Sequence, residues 1–123
     1  MTWDSGVESL GQQLPGLRAE DLKELEGVIE RLVNALRPEC VYAFGSQARG
    51  TPSEDSDIDL LVVVPGSTLP PHQRDQIAYG AVGAHSRPLD ILVMTREEFD
   101  ERRGAKASLP ATVLREGRLL YAV

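Results

Sequence analysis

The sequence holds one cysteine, one tryptophan and two phenylalanines among its 123 residues. A lone thiol cannot close an internal disulfide, so the expectation is a chain held by its core in a reducing, cytoplasmic setting. Cys40 falls in an apolar run, where it reads as a small buried residue rather than a nucleophile. No apolar stretch approaches the roughly 20 residues of a membrane-spanning helix. The N-terminus has no basic flank followed by an apolar segment, so no signal peptide is expected. Basic charge is scarce too: 13 Lys and Arg against 19 Asp and Glu leave a net charge of −6. Broad capture of nucleic acid or an anionic membrane rests on clustered Lys and Arg, and that class of function is set aside. Local binding of one nucleotide with a metal stays open.

A chain of this length suits one domain with a modest core. The expected organisation is a loosely ordered or short helical lead-in over residues 1–18 and a single domain over residues 19–123. From Ala19 to Arg37, the residues Leu22, Leu25, Ile29, Leu32 and Leu36 recur at steps of three and four, which predicts an amphipathic helix stopped by Pro38. Cys40–Phe44 and Ile58–Val64 read as strands, the second stopped by Pro65-Gly66. A helix is expected from about Pro71 to Ala84 with Ile77, Ala81 and Ala84 facing inward, although Gly80 and Gly83 weaken it. Pro88–Met94 reads as a third strand. Thr95-Arg96-Glu97-Glu98 has the spacing of a capping box opening a short helix. Ser108-Leu109-Pro110 opens another, which Gly117 closes before a last short strand or tail. The order implies an α+β domain, a small mixed β-sheet with helices packed on one side.

Between the first two strands runs Gly-Ser-Gln-Ala-Arg-Gly-Thr-Pro-Ser-Glu-Asp-Ser-Asp-Ile-Asp, from Gly45 to Asp59. Gly45 has no Cβ to hold a ligand away from the backbone. Ser46 adds a hydroxyl, and a short helix starting there would aim free N–H groups at an anion. Arg49 adds positive charge nearby. Together these read as a phosphate cradle. Asp57 and Asp59 stand two apart, about 6.6 Å along a strand and on one face. Two carboxylates so placed repel, by about 4 kcal/mol at 4 Å and an effective dielectric of 20. A hard cation such as Mg²⁺ would relieve this and keep open positions for substrate phosphates. Phosphate cradle plus carboxylate pair is the layout of metal-assisted phosphoryl or nucleotidyl transfer.

Two other readings of these letters fail. A Walker loop needs lysine after its second glycine, and here Gly50 is followed by Thr51-Pro52. Asp55-x-Asp57-x-Asp59 begins like an EF-hand loop, but Leu60 stands where glycine is needed and Gly66 where glutamate is needed. Asp90, an acid inside an apolar run, needs a partner or a metal. Arg87 or a strand-edge amide would serve structurally, and a neighbouring strand would bring it to the same cation as Asp57 and Asp59. His72 and His85 have no telling neighbours and are expected at the surface.

Gly45-Ser46, ten residues, then Asp57-Ile58-Asp59 resembles the signature of the DNA polymerase β-like nucleotidyltransferase superfamily. The fuller string, with Ser56-Asp57-Ile58-Asp59-Leu60, is similar to its minimal nucleotidyltransferase (MNT) branch, small domains paired with HEPN proteins in toxin–antitoxin operons. Gln47 stands where many relatives carry arginine. The resemblance implies the nucleotidyltransferase fold, ATP as donor, a two-metal Mg²⁺ site and a third carboxylate, for which Asp90 is the matching position. It assigns Asp57, Asp59 and Asp90 to metal binding and catalysis, and Gly45, Ser46 and Arg49 to the phosphates. It further implies AMP transfer to a tyrosine hydroxyl of a HEPN toxin, with this chain as antitoxin. The acceptor is expected to arrive with that partner, because 123 residues leave no room for an acceptor domain. A non-catalytic antitoxin or nucleotide-binding regulatory subunit is the alternative. Transfer to a small molecule such as an aminoglycoside, in a pocket supplied by a homo-oligomer, is a third reading.

Overall fold

The spacing of leucines in the first long helix decides which of its faces is buried. The computed structural model describes residues 7–45, 57–85 and 88–123. Helix α1 spans Val7–Gln13 and α2 spans Ala19–Leu36. On α2, Leu22, Leu25, Val28, Ile29 and Leu32 are buried along one stripe, as their three-and-four spacing predicts. The helix ends at Arg37, whose backbone turns left-handed at φ 48° and whose N–H still bonds to the carbonyl of Val33. Pro38 then prevents continuation. Leu10, Leu14 and Leu17, within the stretch expected as a lead-in, lie in the core beside α2.

Strand β1 (Cys40–Phe44) pairs antiparallel with β2 (Ile58–Val64) on one side and with β4 (Arg118–Ala122) on the other. Strand β3 (Leu89–Thr95) runs parallel to β2, after a crossover through α3 (Pro71–Val82). The order across the four-stranded sheet is β3-β2-β1-β4, the mixed sheet of an α+β domain that the element order implies. Strand β2 is central, and Leu60, Leu61, Val62 and Val63 are fully buried. Burial on both faces is why it reads as an unbroken apolar run rather than an alternating one.

Helices cover both faces of the sheet rather than the one side expected, because its strands carry apolar side chains on both faces. The two faces differ. Val41, Ala43, Ile58, Leu60, Val62, Ile91 and Val93 join α1, α2 and α3 in the larger core. On the other face, two short helices, α4 (Arg96–Arg102) and α5 (Leu109–Glu116), set Phe99 and Val113 against Cys40, Leu61, Val63 and Met94. Each fully buried aliphatic or aromatic side chain contributes about 1.5–3 kcal/mol. The capping box of α4 forms: Thr95 Oγ1 accepts from the Glu98 N–H and Glu98 Oε1 from the Thr95 N–H. Ser108 caps α5 through the N–H of Ala111.

Helix α3 departs from expectation in its rotation. Arg74, Ala78 and Val82 face inward, while Ile77 is exposed. With so few apolar residues, the helix is oriented by polar bonds to β3 rather than by an apolar stripe. The Val93 N–H donates to Asp75 Oδ1 at 2.8 Å and the Ile91 N–H to Tyr79 Oη at 2.8 Å. Arg74 donates to the Val93 carbonyl at 3.3 Å and grips Glu98 through both terminal nitrogens, at 2.8 and 2.9 Å. These side chains occupy backbone groups on the outer edge of β3 that would otherwise be open to another strand.

Candidate active site

Side-chain alternation carries Phe44, Tyr42 and Cys40 of β1 to the same face as Asp59, Leu61 and Val63 of β2 and Asp90, Leu92 and Met94 of β3. The register makes these nine residues three rows across the strands: Phe44–Asp59–Asp90, Tyr42–Leu61–Leu92 and Cys40–Val63–Met94. The second and third rows are apolar and contribute to the smaller core. The first row carries the two acids. Its half-buried Asp59 and exposed Asp90 lie at the end of the sheet where β1 leaves and β2 and β3 begin. Strand pairing thus sets Asp90 beside Asp59 from a distant part of the chain. Asp57, Ile58 and Asp59 alternate exposed, buried and half-buried, so Asp57 shares the outward side with Asp59.

Gly45 has φ 77°, a left-handed conformation that glycine adopts without penalty. A Cβ built there would collide with Oδ2 of Asp59. The backbone just after β1 is therefore packed directly on the carboxylate, and only glycine permits it. Ser46 and Arg49, expected at the phosphates, lie outside the described residues, as do Gln47 and Arg87.

Asp90 has a partner that sequence reasoning did not find. Tyr79 Oη donates to Asp90 Oδ1 at 3.3 Å while accepting from the Ile91 N–H. Burial pushes the Tyr79 hydroxyl above its ordinary range, and the charge of Asp90 adds to this against the opposing pull of the Ile91 N–H. The available signal was the four-residue spacing of Asp75 and Tyr79, which puts two hydrogen-bonding side chains on one helix face. Cys40 sits at the opposite end of the acid face, buried, its thiol pushed up by burial despite the Arg96 guanidinium nearby. That is the behaviour of a packing residue.

The donors suit a hard divalent ion in type: carboxylate oxygens from adjacent strands, beside a glycine that leaves backbone and carboxylate in contact. Among the described residues, no three His, Cys, Asp or Glu side chains are gathered as a metal-holding group. Asp57, Asp59 and Asp90, the three expected ligands, are all described and are not gathered as such a group; the strand register sets only Asp59 and Asp90 side by side. Among the described residues, no helix is long and apolar enough to cross a membrane.

A crystal structure of a "putative nucleotidyltransferase from Sulfolobus solfataricus" is 27% identical to this chain, with a TM-score of 0.54. The match covers 77% of this chain and 78% of that one. No curated protein matches the chain. The family model described as "Nucleotidyltransferase domain" matches residues 22–120, a span that runs from the first turn of α2 into β4 and takes in the Gly45 turn, the Asp57–Asp59 pair and Asp90. Fold, acid row and family model coincide on one stretch of sequence, and the chain belongs to the nucleotidyltransferase domain family.

Proposed function

We propose that the chain transfers AMP from ATP to a tyrosine hydroxyl of a HEPN toxin and thereby acts as its antitoxin, in the cytoplasm. The observation that carries the transferase part is the pairing of Asp59 with Asp90 across β2 and β3, with Gly45 packed on Asp59. The family supports nucleotidyl transfer. The choice of AMP, tyrosine and a HEPN partner is supported by the resemblance of the Gly45–Leu60 string to minimal nucleotidyltransferases.

In this reading Asp57, Asp59 and Asp90 would be the residues that hold Mg²⁺. Bound Mg²⁺ would supply charge neutralisation at the phosphates and acidify the attacking hydroxyl. Gly45 keeps the turn close to the β- and γ-phosphates, Ser46 donates to them, and Arg49 balances the departing pyrophosphate. The tyrosine oxygen bonds to the α-phosphorus as the bond to the β-phosphate oxygen breaks, and Asp90 accepts the hydroxyl proton.

The test is incubation of the protein with ATP labelled at the α-phosphate, Mg²⁺ and a HEPN protein encoded beside it. Label is expected on a tyrosine of the partner. Asp57→Ala is expected to slow transfer about a thousandfold, equivalent to about 4 kcal/mol. Wild-type labelling by that variant would end the assignment. Undiminished stoichiometric inhibition of the toxin by Asp57→Ala would show a blocking subunit instead.

A further inference from the structure

We propose that Tyr79 is a positioning residue for Asp90, fixing that carboxylate from the outer edge of the sheet. The inference rests on the reading of Asp90 as a site carboxylate. Helix α3 advances about 6.0 Å over four residues, and β3 about 6.6 Å over two, so the steps nearly match. Asp75 and Tyr79 consequently meet Val93 and Ile91 in turn. Both bonds occupy backbone N–H groups of the edge strand, but only the second side chain also reaches the acid row, through Asp90 Oδ1.

The chemistry of the two residues explains the difference. A carboxylate such as Asp75 only accepts, and at position 79 it would face Asp90 with like charge. A tyrosine hydroxyl accepts from the Ile91 N–H and donates to Asp90 in the same arrangement. The hydroxyl thereby ties one oxygen of an exposed carboxylate to a backbone amide, a fixed reference point, and limits the rotation of a side chain otherwise open to solvent. Removing the hydroxyl frees Asp90 without touching the other acids.

The test compares Tyr79→Phe, Asp75→Ala and Asp90→Ala. Each is assayed for melting temperature, for Mn²⁺ binding by electron paramagnetic resonance, and for AMP transfer. Tyr79→Phe and Asp75→Ala each remove one edge-strand bond, so a purely structural role predicts the same outcome for both. The expected result is that Tyr79→Phe weakens Mn²⁺ binding and slows transfer about tenfold each, with the KM for ATP unchanged. Asp75→Ala is expected to lower the melting temperature similarly while keeping both at wild-type levels. Wild-type Mn²⁺ binding and transfer in Tyr79→Phe, or equal losses in Asp75→Ala, would overturn the role of Tyr79 while Asp90→Ala stays inactive. Wild-type behaviour of Asp90→Ala would overturn this inference and the assignment of Asp90 together.

Discussion

Gly45 lies so close against Asp59 that a side chain at position 45 would occupy the space of the Asp59 carboxylate. The left-handed backbone at Gly45 adds a conformational cost of about 1–2 kcal/mol for any L-residue. Gly45→Ala is therefore expected to lower stability by about that amount and to displace the Asp59 carboxylate. Nucleotidyl transfer should fall at least about tenfold, as expected when a charged group is moved from its working geometry. Circular dichroism with a transfer assay checks both. A variant with full activity would show that Asp59 can shift without consequence.

Asp59 and Asp90 face each other across β2 and β3. Like charges opposite one another destabilise a sheet by about 0.2–1 kcal/mol. Asp90→Asn keeps an acceptor for Tyr79 and removes one charge, so stability without metal should rise by about 0.5 kcal/mol. Transfer should fall sharply in the same variant. Urea unfolding beside an activity assay reads this opposition, and a variant losing stability together with activity would contradict it.

The Glu98 carboxyl is held down to about 2, first by Arg74 and then by the Thr95 backbone N–H. An unfolded glutamate titrates near about 4.3. The folded form thus binds the proton less readily, and the stability this contributes is present above about pH 4.3 and lost as pH falls toward about 2. Glu98→Gln is expected to be less stable at pH 7 by about 1.5–3 kcal/mol, the range for hydrogen bonds to charged groups. The difference should shrink across the acid window. Urea midpoints measured from pH 7 to pH 2 check it, and parallel curves would exclude Glu98 as the titrating group.

Gly117 joins α5 to β4 in a space closed by backbone. A Cβ there would stand 2.6 Å from the Val113 carbonyl oxygen and 2.9 Å from that of Ala43. Its φ of −78° is ordinary, so the constraint is contact alone. Gly117→Ala is expected to cost about 1–3 kcal/mol by overpacking. Thermal unfolding measures it, and an unchanged melting temperature would mean that β4 moves away from β1 at no cost.

Much of this was legible in the order of residues. The leucine stripe of α2 and the stop at Pro38, the bounds of β1 and β2, the capping box at Thr95 and the closure of α5 at Gly117 are local matters. Periodicity, backbone preference and side-chain bonds within a few residues decide them. The spacing of Gly45, Asp57 and Asp59 pointed to phosphate and metal chemistry for the same reason, because residue types two apart on a strand share a face. Helix α3 differs from the expected rotation, with Ile77 exposed rather than inside, since its orientation follows bonds to a strand further along the chain.

Asp90 is the case that divides the two. Its place in an apolar run was evident from sequence, but the burial that would have demanded a partner is not found, since Asp90 lies exposed at the start of β3. Which partner it finds depends on the parallel register of β3 on β2 and on the pitch of α3 along the outer edge. The sequence alone thus determined the elements, the mixed sheet and the acids worth watching. Only the tertiary structure decided that Asp90 lies beside Asp59, that Tyr79 reaches it, and that Gly45 rests on the Asp59 carboxylate. Those contacts join segments far apart in the chain, and no local preference encodes the register that brings them together.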